Sequence, residues 1–175
     1  MSHTEGSETA LFTIGHSNHP IERFIGLLTD VEIRLVIDVR SHPGSRFNPQ
    51  FNRGRLESTL QECGIEYLWM GQHLGGRDGT SVASPEFQAE MGKVIRLSRN
   101  QNVAVMCSEG KPQDCHRTTK LTAWLHRERP PVKASHIVPA ANNGAELVNT
   151  ADFEAGLPPK RLWFELDERG QYGRE

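Results

Sequence analysis

Short apolar runs that end in polar clusters and lead into helical patterns constrain this chain more than any other feature. Residues 10–14, 34–39, 65–69 and 103–107 are such runs, rich in Val, Ile and aromatic side chains and too short for helices. After the first, Pro20 opens a helix at a first-turn position, and Ile21, Phe24, Leu27, Leu28 and Val31 recur at helical spacing. Residues 55–63 place Leu56, Leu60 and Cys63 on one stripe, and Gly64 stops that helix. Ser84 and Pro85 read as cap and first residue of another helix, with Phe87, Met91, Val94, Ile95 and Leu97 inside. A helix carrying Leu121, Trp124 and Leu125 follows the fourth run. A fifth strand is predicted at residues 135–138, and an edge strand at 162–166. Strands alternating with helices imply βαβ units. The expected fold is a three-layer α/β domain, a mainly parallel sheet with helices on both faces.

Composition narrows the setting. A length of 175 residues favours one domain, placed at residues 9–170 after a disordered amino-terminal tail at 1–8. The net charge of −2 supplies no broad basic field toward nucleic acid or membrane. Neither a spanning apolar run nor an export signal is seen, so the expected setting is cytoplasmic, without membrane contact. Three cysteines fit reduced thiols better than a disulfide framework.

Parallel strands point the same way, so the loops that follow them meet at one sheet edge, where α/β proteins bind ligands. The sequence therefore predicts a single cleft fed by four clusters. The first run contributes His16 and Ser17, the second Asp38, Arg40 and Arg46, and the third His73 and Arg77. The fourth contributes Cys107, Glu109, His116 and Arg117, at the junction of a strand with a helix.

A thiol at a strand end, facing a helix start and arginines, has its thiolate favoured electrostatically. Phosphatase and sulfurtransferase loops use that logic, but Arg117 lies ten residues after Cys107, so the likeness to a Cys-x5-Arg loop is architectural only. Cys107 is equally readable as a small buried residue closing a strand. Cys115 shares a helical stripe with Thr118, Thr122 and Leu125, which favours packing. His116 and Arg117 at a helix start suit an anion, yet Asp38 and Glu109 offer structural partners to the same arginines. Cys107, Cys115, His116, His16, His42 and His73 include the softer ligands that zinc takes, but without metal-binding spacing. The stretch from Arg46 to Arg55 interleaves basic and aromatic residues, which suits a cleft cover, a surface loop or a single-strand contact.

The chain resembles the domain-of-unknown-function family 488. The resemblance rests on Thr-Ile-Gly-His-Ser at residues 13–17, on Asp38-Val-Arg-Ser with Pro43-x-Ser-Arg46, and on Gly64-Ile-x-Tyr67 leading to Leu74-Gly-Gly-Arg77. It continues through Cys107-x-Glu109-x5-Cys115-His-Arg117 and spans residues 11–138. One departure is Lys111 before Pro112, where many relatives look acidic. The resemblance implies fold and site and supplies no reaction.

The leading functional expectation is an enzyme acting on a small phosphorylated or nucleotide-like anion, a cysteine-dependent hydrolase or transferase. Cys107 is its nucleophile or redox thiol, and Glu109 or His116 handles protons. His16, Ser17, Asp38, Arg40, Arg46, His73, Arg77 and Arg117 are the expected ligand contacts. The alternatives are a non-catalytic nucleic-acid or nucleotide-binding module and a metal-dependent enzyme using the same cleft. No cofactor and no oligomeric state follow from the sequence.

Overall fold

Side-chain alternation along the strands sorts the core into two layers. The computed structural model describes residues 10–77, 80–129 and 132–149. Strands β1 (Ala10–Gly15), β2 (Leu35–Asp38), β3 (Glu66–Trp69), β4 (Val103–Cys107) and β5 (Lys133–Pro139) run parallel. Strand β6 (Ala145–Asn149) pairs antiparallel with β5, and the sheet order is β3-β2-β4-β1-β5-β6. Leu11, Val103, Val105 and Cys107 face one layer, while Phe12, Ile14, Ala104 and Met106 face the other. Because β2 and β4 are covered on both sides, all their residues are buried and they read as apolar runs, broken only by Asp38 at the end of β2.

Helices α1 (Ile21–Asp30) and α2 (Arg53–Glu62) cover one face through Phe24, Leu27, Leu28, Leu56 and Leu60. A single turn, α3 (Gly71–Leu74), adds Leu74 to the opposite layer, with α4 (Pro85–Ser98) and α5 (Ala123–Glu128). Phe87, Met91, Val94 and Ile95 of α4 are buried there, each contributing about 1.5–3 kcal/mol. The Ser84 hydroxyl accepts from Phe87 N at 3.1 Å, a cap contributing about 1 kcal/mol. Gly64 follows α2 at φ 72°, the left-handed position its sequence context predicts. The α/β class, the mainly parallel sheet and the helices on both faces agree with the sequence reading.

Several details differ. The segment at 71–77, read as loop, contains α3. The helix after the fourth strand begins as a π-helical stretch, Arg117–Thr122, before α5. Strand β6 was not expected; Asn143 at φ 66° and Gly144 turn the chain back onto β5. The predicted tail at 1–8 and edge strand at 162–166 lie outside the described residues.

Candidate functional site

The strand order makes β1 and β4 neighbours whose outgoing connections diverge. From β1 the chain passes through α1 to β2 on one side; from β4 it passes through α5 to β5 on the other. Such a switch point opens a crevice at the carboxyl ends of the two strands. Pairing continues past the strand ends, with His16 N donating to Cys107 O and Ser17 N to Ser108 O, both at 2.9 Å. Ser17 adopts φ 48°, a left-handed conformation unusual for a non-glycine residue. This approach leaves no room for a side chain at position 15, where a Cβ would overlap the Glu109 carbonyl and Arg117 Nη1. Gly15→Ala is accordingly expected to lower stability by about 1–3 kcal/mol in urea unfolding. A change within about 0.5 kcal/mol would show that the loop yields freely.

A cleft of about 610 Å³ occupies this crevice. Among the sequence-predicted residues, His16, Ser17, Arg40, Arg77, Cys107, Glu109 and His116 line it. Asp38 and Arg117 lie beneath it, wholly buried. Arg46 is exposed and His73 half-buried, and neither lines the cleft. Sequence reasoning did not assign Ser41, Asn48, Gly76 or Asp114, which do line it. Ser41, Gly76 and Asp114 belong to the same post-strand clusters and Asn48 follows one closely, but no local pattern set them apart from their neighbours.

Arg117 organises the floor. Its guanidinium is 0 % exposed, with Nε donating to Thr13 Oγ1 at 3.2 Å and Nη1 to Cys107 Sγ at 2.9 Å. Nη1 also donates to the Glu109 carbonyl and Nη2 to the Gly110 carbonyl. Burial lowers its pKa to about 10, which leaves it charged at neutral pH. Among the described residues no carboxylate forms an ion pair with it, and the Glu109 carboxylate supports its charge from a longer distance. The Sγ atoms of Cys107 and Cys115 are in contact, although the two Cα atoms stand 7.6 Å apart. The expectation of three reduced thiols thus gives way to a bonded Cys107–Cys115 pair, with exposed Cys63 the free cysteine among the described residues.

A second buried network flanks the first. Asp38 bonds Arg40 through its backbone N and side chain, with Nη2 to Oδ2 at 2.6 Å, and it accepts the Tyr67 hydroxyl at 2.7 Å. Burial, then the Asp38 charge, raises the Tyr67 pKa, so the phenol stays a donor. Arg40 Nη1 reaches His16 Nε2 at 3.2 Å, and the His16 ring stacks on Phe51 at 4.3 Å. Here the structural ion pair weighed from sequence is what the structure contains. Most donors of Arg40 are thereby engaged within the protein.

Two cleft histidines are held neutral at pH 7. Burial lowers the His16 pKa to about 4 despite its contact with the Ser17 carbonyl. Burial, reinforced by Lys120 and Arg117, does the same for His116. His116 Nδ1 sits 3.6 Å from Cys115 Sγ, and its buried Nε2 has no hydrogen-bond partner among the described residues. Gly76 packs against that ring, where a Cβ would come within 2.9 Å of it. No group of three or more His, Cys, Asp or Glu among the described residues is placed to hold a metal ion. No helix among the described residues is long and apolar enough to cross a membrane.

Comparison with known proteins is brief. Residues 20–84 match the family model described as domain of unknown function DUF488, running from the entry to α1 through the cap of α4. The expected resemblance over residues 11–138 is thereby supported for that part, and the Cys107–Arg117 segment lies outside it. No curated protein and no solved structure matches the chain significantly.

Proposed function

We propose that the chain is an enzyme in which Cys107 attacks a small anionic substrate, phosphorylated or nucleotide-like, held in the cleft. The observation that carries this reading is the 2.9 Å contact between Cys107 Sγ and a fully buried, charged Arg117 at the switch point. A guanidinium so placed stabilises negative charge on sulfur, and thiolate is the nucleophilic form. His116 lines the cleft with Nδ1 3.6 Å from Cys115 Sγ and is the first candidate for proton handling, although burial and the charge of Lys120 lower its affinity for a proton. Glu109, exposed at the rim, is the second candidate for proton handling. Arg77, exposed at the rim, is the cation most available to an incoming anion, while Arg40 acts chiefly by holding His16. Ser17 and His16 supply the remaining polar contacts.

The test uses alkylation of the reduced full chain by iodoacetamide, with exposed Cys63 as internal control. Between about pH 8.5 and 6.5 an ordinary thiol slows by roughly fiftyfold. Cys107 is expected to slow less than about fivefold. A Cys107 profile that tracks Cys63 would remove the nucleophile role. In parallel, inorganic phosphate, nucleotides and sugar phosphates are expected to raise the melting temperature, since a ligand preferring the folded state stabilises it. No shift with any of them would count against an anionic substrate.

A binding-only reading has one observation in its favour. Phe47 is 88 % exposed between cleft-lining Ser45 and Asn48 and next to exposed Arg46, a surface on which a base could stack. On that reading nucleotide or single-strand binding weakens with salt and survives Cys107→Ser.

A further inference from the structure

We propose that Cys107 and Cys115 form a reversible dithiol–disulfide couple in the cleft, Cys107 taking the first oxidation and Cys115 resolving it. The inference rests on the reading of Cys107 as the reactive sulfur and adds a second sulfur and a redox partner to it. Both residues line the cleft, so a small oxidant or dithiol reaches them although each is only 2 % exposed. Their sulfurs are in contact. Their surroundings differ in a way that assigns the roles. Cys107 faces the Arg117 guanidinium at 2.9 Å, whereas Cys115 receives the backbone N of Arg117 at 3.4 Å. The stronger positive field lies at Cys107, so charge collects there first.

The co-reactant is a peroxide, ROOH. The Cys107 thiolate attacks one peroxide oxygen, the O–O bond breaks, and RO⁻ leaves and takes a proton from solvent as ROH. Cys107 is now a sulfenic acid. The sulfur of Cys115 attacks that of Cys107, the S–O bond breaks, and the hydroxide departs with the Cys115 proton as water. Two electrons have passed from the thiols to the peroxide. An external dithiol returns them and is itself closed to a disulfide.

The experiment treats the full chain carrying Cys63→Ser with hydrogen peroxide and reads peptide masses. Both cysteines fall in one tryptic peptide, residues 100–117, because Lys111 precedes Pro112. That peptide is expected to become two hydrogens lighter and to lose both alkylation sites, and dithiothreitol is expected to restore them. Adding Cys115→Ser is expected to leave a sulfenic acid at Cys107 that dimedone captures. Oxidation of Cys107 to the sulfinic acid while Cys115 stays alkylatable would overturn the couple and leave the nucleophile reading standing. A Cys107 inert to both peroxide and iodoacetamide would remove both. Should the Cys115 variant fail to fold, the same peptide from the unsubstituted chain decides between these outcomes.

Discussion

Arg117→Met is expected to destabilise the protein by roughly 3–5 kcal/mol, the largest effect foreseen for a single side chain. The guanidinium ties Thr13 of β1 to Cys107 of β4 and to the carbonyls of Glu109 and Gly110. Methionine fills comparable volume but leaves those acceptors buried without a donor, at about 1–3 kcal/mol for each one that water cannot reach. Arg117→Lys keeps a positive charge, but one ammonium cannot span acceptors arranged around a planar fork, so it is expected to recover only part of the loss. Midpoints in urea measure both. The same samples report on chemistry, because alkylation of Cys107 in the methionine variant is expected to regain an ordinary thiol pH dependence. A methionine variant within about 1 kcal/mol of the parent would show that Arg117 is not the keystone of the cleft floor.

The second large effect is sensitivity to acid. Burial lowers the pKa of His136 to about 3 and those of His16 and His116 to about 4. His136 is fully buried with Nδ1 2.6 Å from Thr13 Oγ1, and His16 is 3 % exposed. Below about pH 6.5 the unfolded chain protonates these imidazoles, whereas the folded chain resists until about pH 4 or 3. The unfolded state thus binds more protons, and stability falls as pH drops through that window. Each pKa unit is worth about 1.4 kcal/mol, so the two buried rings together account for a loss on the order of several kcal/mol. His116, half-buried, adds less. Urea unfolding at pH 7 and pH 4.5 is expected to show a clearly lower midpoint in acid, and His136→Gln is expected to flatten that slope. Equal midpoints in the parent would mean that these rings take up protons as readily in the folded state as in the unfolded chain.

The residues of the cleft show where sequence reading reached and where it stopped. His16, Ser17, Cys107 and His116 were legible because each lies at the end of a strand or in the connection that leaves it, and parallel strands deliver such residues to one edge. Arg40 and Arg117 were expected as ligand clamps, and the structure engages them largely inside the protein, on Asp38 and on Thr13 with the loop carbonyls. A guanidinium looks the same in sequence whether its partner is a substrate or a carbonyl from another strand. The roles of Tyr67 and Phe51 were invisible for a related reason. One meets Asp38 from a neighbouring strand and the other stacks on His16 across a loop.

Apolar periodicity, the Ser84 cap and the left-handed Gly64 position act within a few residues, so the kinds and sequence of the elements, α3 and β6 excepted, could be written down from the chain alone. Adjacency in the sheet is a long-range property. Placing β4 rather than β2 beside β1 created the switch point, brought Arg117 under Cys107, and buried charges and imidazoles whose properties follow from that burial. No local pattern encodes such pairings, because they arise only when segments about a hundred residues apart compete for the same interior.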